Sequence, residues 1–197
     1  IDEYTLSFYL VLSHLLSSGY VLYWGGSQSL IDEIVLDNRI GYTHKLSIPY
    51  RSGGNIRGFK FRNINHKEGD KLKKKYLNTT GEGLRDKLFN LSVVKGDKDV
   101  VIVEGELDSL SATARGVENV VATGGNSITP EQIRDAIKKG AKSFTICFDT
   151  EPGKEEDTAS KVNKVIQVIL DEGVTKIYIV TLPALGGGKT DTDSYIK

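Results

Sequence analysis

The chain has 197 residues, with 26 Lys and Arg against 26 Asp and Glu and a formal net charge of zero. Its apolar fraction of 39% and charged fraction of 26% are those of an ordinary soluble protein with one good core or two small domains, and its single cysteine excludes disulfides and a Cys-rich zinc site. The neutral balance hides a gradient: Lys and Arg concentrate before about residue 95 and acids predominate after it, so one half suits polyanions and the other cations.

In chain order, the apolar stretch 6–16 is too short and too interrupted by polar residues to span a bilayer, and it lacks the basic start of a secretory signal. An amphipathic helix to about Ser18 is expected there, and no membrane partner. A turn at Gly25-Gly26 and a short helix over 29–37 follow. Ile48-Pro49-Tyr50, the Gly53-Gly54-Asn55 turn and the run 56–62 read as a β-hairpin, because turn residues separate β-favouring segments. Asn78-Thr79-Thr80 and Asn90-Leu91-Ser92 match the glycosylation pattern, but nothing else suggests secretion. The chain begins at Ile1 and contains no Met, so a piece of a longer protein is expected.

From Asp99 the pattern changes. Strands are expected over 100–103, 120–123, 144–148 and 177–181, with helices over 106–115, 130–139 and 155–172. Thr129 before Pro130 is a helix start, and Gly140 and Gly173 are stops. This β-α-β-α-β-α-β order with apolar strands predicts a four-stranded parallel sheet flanked by helices. The fold class is therefore α/β: a mixed α+β basic subdomain over 1–96, then the parallel-sheet domain over 97–197, hinged at Lys95-Gly96-Asp97-Lys98. Cys147 falls inside a strand and reads as a small buried hydrophobe in a reducing compartment.

Three of the strands run towards acids. The first ends at Glu104, with Asp108 four residues on; the third ends at Asp149 and Glu151; the fourth leads through a loop to Asp191 and Asp193. In an open parallel sheet, ligands collect beyond the carboxyl ends of the strands, so these acids would meet on one edge. Clustered carboxylates repel, and a divalent cation between them is the best explanation. The competing reading is helix N-caps and solvated turns, which stays open for Asp108 above all. Glu106, Glu155, Glu156 and Asp157 read as surface charge.

Val103-Glu104-Gly105-Glu106-Leu107-Asp108, Cys147-Phe148-Asp149-Thr150-Glu151 and Asp191-Thr192-Asp193-Ser194-Tyr195-Ile196 together resemble the TOPRIM domain shared by primases, topoisomerases and some nucleases. Ile48-Pro49-Tyr50-Arg51, Gly58-Phe59-Lys60-Phe61-Arg62 and Lys75-Tyr76-Leu77-Asn78-Thr79 resemble the basic subdomain of DnaG-type bacterial and phage primases, in the same order along the chain. The resemblance implies catalytic roles for Glu104, Asp149 and Glu151. It also implies a metal set of Glu104, Asp108, Asp149, Glu151, Asp191 and Asp193 for Mg²⁺ or Mn²⁺, with Glu104 either a ligand or a proton acceptor. Glu151 stands where the family usually has aspartate, and the stretch 152–157 is longer and more acidic than the usual glycine-rich turn. Both departures bear on competence rather than fold.

Arg51, Arg57, Lys60, Arg62, Lys71, Lys73, Lys74 and Lys75 are interleaved with Tyr50, Phe59, Phe61 and Tyr76, a mixture suited to phosphates with bases or sugars alongside. A solvated face stays open for Lys71, Lys73 and Lys74. The resemblance implicates Arg62 and Lys75 in template or nucleotide binding, and Lys87 by a looser match. Gly186-Gly187-Gly188-Lys189-Thr190 mimics the end of a P-loop, but Pro183 stands where the first glycine is required. Gly124-Gly125-Asn126-Ser127 is a plain turn or a phosphate contact; His14, His44 and His66 share no metal pattern; Tyr23 and Trp24 read as core.

The expected function is a primase catalytic core that makes short RNA primers on single-stranded DNA from nucleoside triphosphates. A replicative helicase would be met through parts outside these residues, in the cytoplasm of a bacterial, phage or mobile-element host. A TOPRIM nuclease and a non-catalytic nucleic-acid-binding module are the alternatives.

Overall fold

The computed structural model describes residues 22–23, 46–52, 55–63, 65–67, 69, 74–78, 84–96, 98–125, 127–183 and 188–196. It divides into two compact units, Ile1–Leu84 and Arg85–Lys197. The expected N-terminal helices, the Gly25-Gly26 turn, Trp24, His14, His44, Lys71 and Lys73 lie outside the described residues.

In the first unit, strands β1 (Leu22–Tyr23), β2 (Leu46–Ser52), β3 (Asn55–Arg62) and β4 (Tyr76–Asn78) form an antiparallel sheet in that order. The β2–β3 hairpin expected from the sequence is present, closing at Ser52 opposite Asn55 with a register shift between Tyr50 and Arg51. Pro49 lies within β2 opposite Phe59 of β3, beyond the Leu46 and Ser47 pairs that β1 makes among the described residues. Leu46, Ile48, Tyr50 and Phe61 are buried, and the Phe59 and Phe61 rings lie 5.9 Å apart.

The second unit alternates β5 (Val100–Val103), α1 (Glu106–Ala114), β6 (Val120–Ala122), α2 (Pro130–Lys138), β7 (Phe144–Ile146), α3 (Glu155–Asp171), β8 (Ile177–Ile179) and α4 (Thr192–Tyr195). Its strands are all parallel, in the order β6-β5-β7-β8. On one face of the sheet Val100, Ile102, Phe144 and Ile146 pack with Ile133 and Ala136 of α2 and Val165 and Ile169 of α3, while α1 packs against β5 and β6. β7 is shorter than the predicted 144–148, although Cys147 still donates to Ile102 O at 2.9 Å before the chain turns away.

The contact boundary precedes the predicted hinge because Leu88, Leu91 and Val94 belong to the second core, and Phe89 exchanges backbone hydrogen bonds with Ala122 at 2.9 and 3.2 Å. Thr129 caps α2 as expected, and Gln132 completes a reciprocal capping box. Gln132 does more: its buried amide donates to the carbonyls of Arg85, Lys87 and Thr123 at 3.0 to 3.1 Å, pinning the entry segment to the sheet.

Gly140 ends α2 with φ of +97°, and a Cβ there would lie 2.8 Å from Gly96 Cα. Gly153 has φ of +80° but open space around it. Gly140→Ala should therefore cost about 2 kcal/mol or more and Gly153→Ala about 1 kcal/mol in urea unfolding, the difference being the backbone clash.

Candidate active site

Each acid is placed by a local rule. Glu104 is the first residue past β5, and Gly105 then opens α1 as its N-cap. Asp108, in the first turn of α1, folds back over that glycine, where a Cβ would collide with its carboxylate oxygen. A side chain at 105 would have to move that carboxylate aside, while the backbone angle there, with φ of −101°, is open to any residue. Asp149 follows β7 by way of Cys147 and Phe148. Thr150 and Thr190 then form an antiparallel bridge, with N–H···O distances of 2.9 and 2.7 Å, whose register sets Asp149 beside Asp191 and Glu151 beside Lys189. Asp191 caps α4: its Oδ1 accepts from Ser194 N at 2.8 Å.

Electrostatics shows which acids share one field. Burial, then the charges of Asp149, Asp191 and Asp193, push the Asp108 carboxyl up to about 7, against a hydrogen bond from the Asp193 backbone N–H. Burial and the Asp149 charge raise Glu104 as well, against Lys161 and Lys189. Burial raises the Cys147 thiol, with a smaller push from Asp149 and Asp108.

The structure thus brings Glu104, Asp108, Asp149 and Asp191 together at the carboxyl ends of β5 and β7. Asp193 sits at the margin, its Oδ1 taking hydrogen bonds from Ser111 Oγ and from Arg115 at 3.4 Å. Glu151 pairs with Lys154 at 2.8 Å. Asp191 is both things that the sequence left open, a helix cap and a member of the acidic group.

Cations already stand among these acids. Lys189 Nζ is 2.8 Å from Asp149 Oδ2, and Lys161 Nζ is 3.6 Å from Glu104 Oε1. Burial opposes the Lys189 charge, but the hydrogen bond and charge of Asp149, with Asp191 and Glu104 behind it, leave its pKa raised. Among the described residues, no three His, Cys, Asp or Glu side chains form a ready-made metal-binding group. The donor chemistry still fits a hard divalent ion: the group is all oxygen, and its mutual repulsion is what such an ion relieves. Sequence reasoning missed Lys161 and Lys189. For Lys189 a signal existed, since it precedes Thr190-Asp191 directly, but its glycine-rich context drew attention to a P-loop; in the structure Thr190 bridges Thr150 rather than heading a helix. In the Gly124 turn, Thr123 Oγ1 donates to Gly125 O at 2.7 Å.

In the first unit, Tyr76 stands directly across from Arg62 in the β3–β4 register. Lys60 Nζ, Arg62 Cζ and Lys75 Nζ lie 4.6, 5.4 and 5.9 Å from the Tyr76 ring centroid, and Arg62 also donates to its hydroxyl. The Lys60 side chain is buried and Lys75 is exposed. Arg51 and Arg57 are exposed nearer the turn of the β2–β3 hairpin. Lys87 belongs to the second unit, held by its carbonyl to Gln132.

The Toprim-like family profile matches residues 101–196, the span that carries all six acids. The DNA primase of Enterococcus faecalis is 32% identical over 136 residues, covering 66% of this chain and 20% of that protein. That of Lactococcus lactis is 30% identical over 164 residues, covering 79% and 24%. Residues 101–196 belong to the Toprim-like family, in a chain similar over most of its length to bacterial DNA primases. It spans about a fifth to a quarter of the length of these relatives. The fold agrees: the zinc-binding and RNA polymerase domains of the Aquifex aeolicus primase superpose with a TM-score of 0.69 at 22% identity, covering 89% of this chain and 47% of that one. A DnaG primase catalytic domain bound to single-stranded DNA gives 0.65 at 20% identity, covering 99% and 68%. No helix among the described residues is long and apolar enough to cross a membrane.

A carboxyl raised in the folded state holds its proton after the unfolded chain has lost it, so the fold loses stability as pH rises from about 4 to about 7. For Asp108 that loss is on the order of 2–4 kcal/mol. Asp108→Asn, in chelator, should melt higher than the parent at pH 8, with the gap closing near pH 4 in thermal scans.

Proposed function

We propose that this chain is the catalytic core of a DNA primase, which joins ribonucleotides into short primers on a single-stranded DNA template with Mg²⁺ or Mn²⁺. The observation that carries the reading is the convergence of Glu104, Asp108, Asp149 and Asp191 past the ends of two central parallel strands, in a chain similar over most of its length to bacterial DNA primases. Phosphoryl transfer asks little covalent chemistry of a protein; it asks for charge neutralisation and in-line placement. A divalent ion bound here would supply that neutralisation for the triphosphate and leaving group. Asp149 and Asp191 would hold it, with Asp108 and Glu104 around them and Asp193 and Glu151 acting through water. Glu104, raised by its surroundings, is also suited to take a proton from an attacking hydroxyl.

The first unit would carry the nucleic acid. Lys60 and Arg62 are braced against the Tyr76 ring, so their charges stand in fixed positions, and exposed Arg51, Arg57 and Lys75 extend the basic surface. Lys87 would join the nucleotide from the second unit. The full protein would work in the bacterial, phage or mobile-element cytoplasm, meeting a replicative helicase through parts beyond these residues.

Incubation of the full-length protein with single-stranded template, labelled nucleotides and Mg²⁺ or Mn²⁺ tests this. New oligoribonucleotide is expected; shortened template would instead mark a nuclease, and salt-sensitive binding without product a non-catalytic module. Asp149→Ala should abolish synthesis and spare DNA binding, and synthesis that persists would remove this carboxylate from the site. Arg62→Ala should weaken binding uniformly across template sequences and lower the salt slope by about 1.

A further inference from the structure

Lys189 ends a glycine-rich string that is not a P-loop, yet it occupies a defined place. Thr190 is fully buried and tied to Thr150 by two backbone hydrogen bonds, which fixes the neighbouring lysine at the edge of the acidic group. From there its ammonium reaches Asp149 at 2.8 Å. The Asp149 side chain is 14% exposed and that of Lys189 51%, so an enclosed acid is met by a cation that reaches in from solvent. Lys161, on α3, approaches Glu104 in the same way at 3.6 Å, with 36% against 16% exposure. A lysine so placed can withdraw along its four-carbon stem without disturbing the core.

We propose that Lys189, supported by Lys161, is the resident counterion of the carboxylate group: it holds Asp149 until a divalent ion takes that oxygen, then turns outward to the phosphates that arrive with the ion. This rests on the metal and nucleotide reading above. A univalent ammonium and a divalent ion contend for one carboxylate, so the lysine weakens binding of the metal alone. The same lysine, once displaced, adds a positive charge beside the incoming polyphosphate and strengthens binding of the metal–nucleotide complex. Its removal should therefore move two affinities in opposite directions. A lysine that only buttresses the fold would move both the same way, and one that only touches phosphate would leave metal alone unchanged.

The test uses the full chain, with Mn²⁺ followed by electron paramagnetic resonance without nucleotide and Mg²⁺–ATP followed by calorimetry. Lys189→Gln should bind Mn²⁺ about 3- to 10-fold more tightly and Mg²⁺–ATP weaker by a similar factor, the range expected for losing one partly exposed, charge-assisted hydrogen bond. Lys189→Arg should restore both, and Lys161→Gln should show the same opposed shifts at smaller size. Mn²⁺ affinity that is unchanged or weaker in Lys189→Gln overturns the proposal, as does unchanged binding of Mg²⁺–ATP or a parent chain that binds no Mn²⁺. Opposed shifts in a protein that makes no primer would leave this inference standing and sink the synthetic reading. Primer synthesis with unshifted Mn²⁺ affinity would do the reverse.

Discussion

Like charge held where it cannot disperse is the constraint that organises the second unit. A parallel sheet delivers successive strand ends to one edge, and here the residues delivered are carboxylates: Glu104 from β5, Asp149 from β7, with Asp108 and Asp191 from the helices beside them. In solvent such groups would move apart. Partial burial at the sheet edge prevents this, and burial first, then the charges of Asp149 and Asp191, push the Asp108 carboxyl up to about 7.

Several features of the fold keep that arrangement from relaxing. Gly105 leaves room for Asp108 to fold back, and the Thr150–Thr190 bridge joins the segment after β7 to the segment before α4. Thr190 is buried and Thr150 half-buried, so parting Asp149 from Asp191 would mean breaking two backbone hydrogen bonds that are partly shielded from solvent. Lys161 and Lys189 then offset the accumulated charge from outside. The site is thus a balance of enclosed acids and approaching bases, rather than a row of ligands.

What the sequence made legible follows from how locally each feature is determined. The four parallel strands were readable because their short segments are rich in Val, Ile and Phe and alternate with helical stretches, and α2 because Thr129 and Pro130 announce its start. The acids were readable because strand ends are local. Their division was not: Asp193 is drawn to Ser111 and Arg115, 82 and 78 residues away, and Glu151 is taken by Lys154 three residues on. Lys161 lies on a helix whose charges look uniformly superficial, and only the packing of α3 brings it to Glu104. The limit of the second unit was hidden for a similar reason, since the fate of Leu88, Leu91 and Val94 depends on a core assembled from residues far downstream.

The cap on α4 has a consequence for coordination chemistry. Asp191 Oδ1 accepts from the Ser194 N–H, which leaves Oδ2 as its less encumbered oxygen. Calcium commonly takes both oxygens of a carboxylate in a loose seven- or eight-fold shell, whereas magnesium prefers single oxygens at the corners of an octahedron. On the proposed reading of the acidic group, the four-residue helix at the end of the domain would therefore favour single-oxygen contact from Asp191.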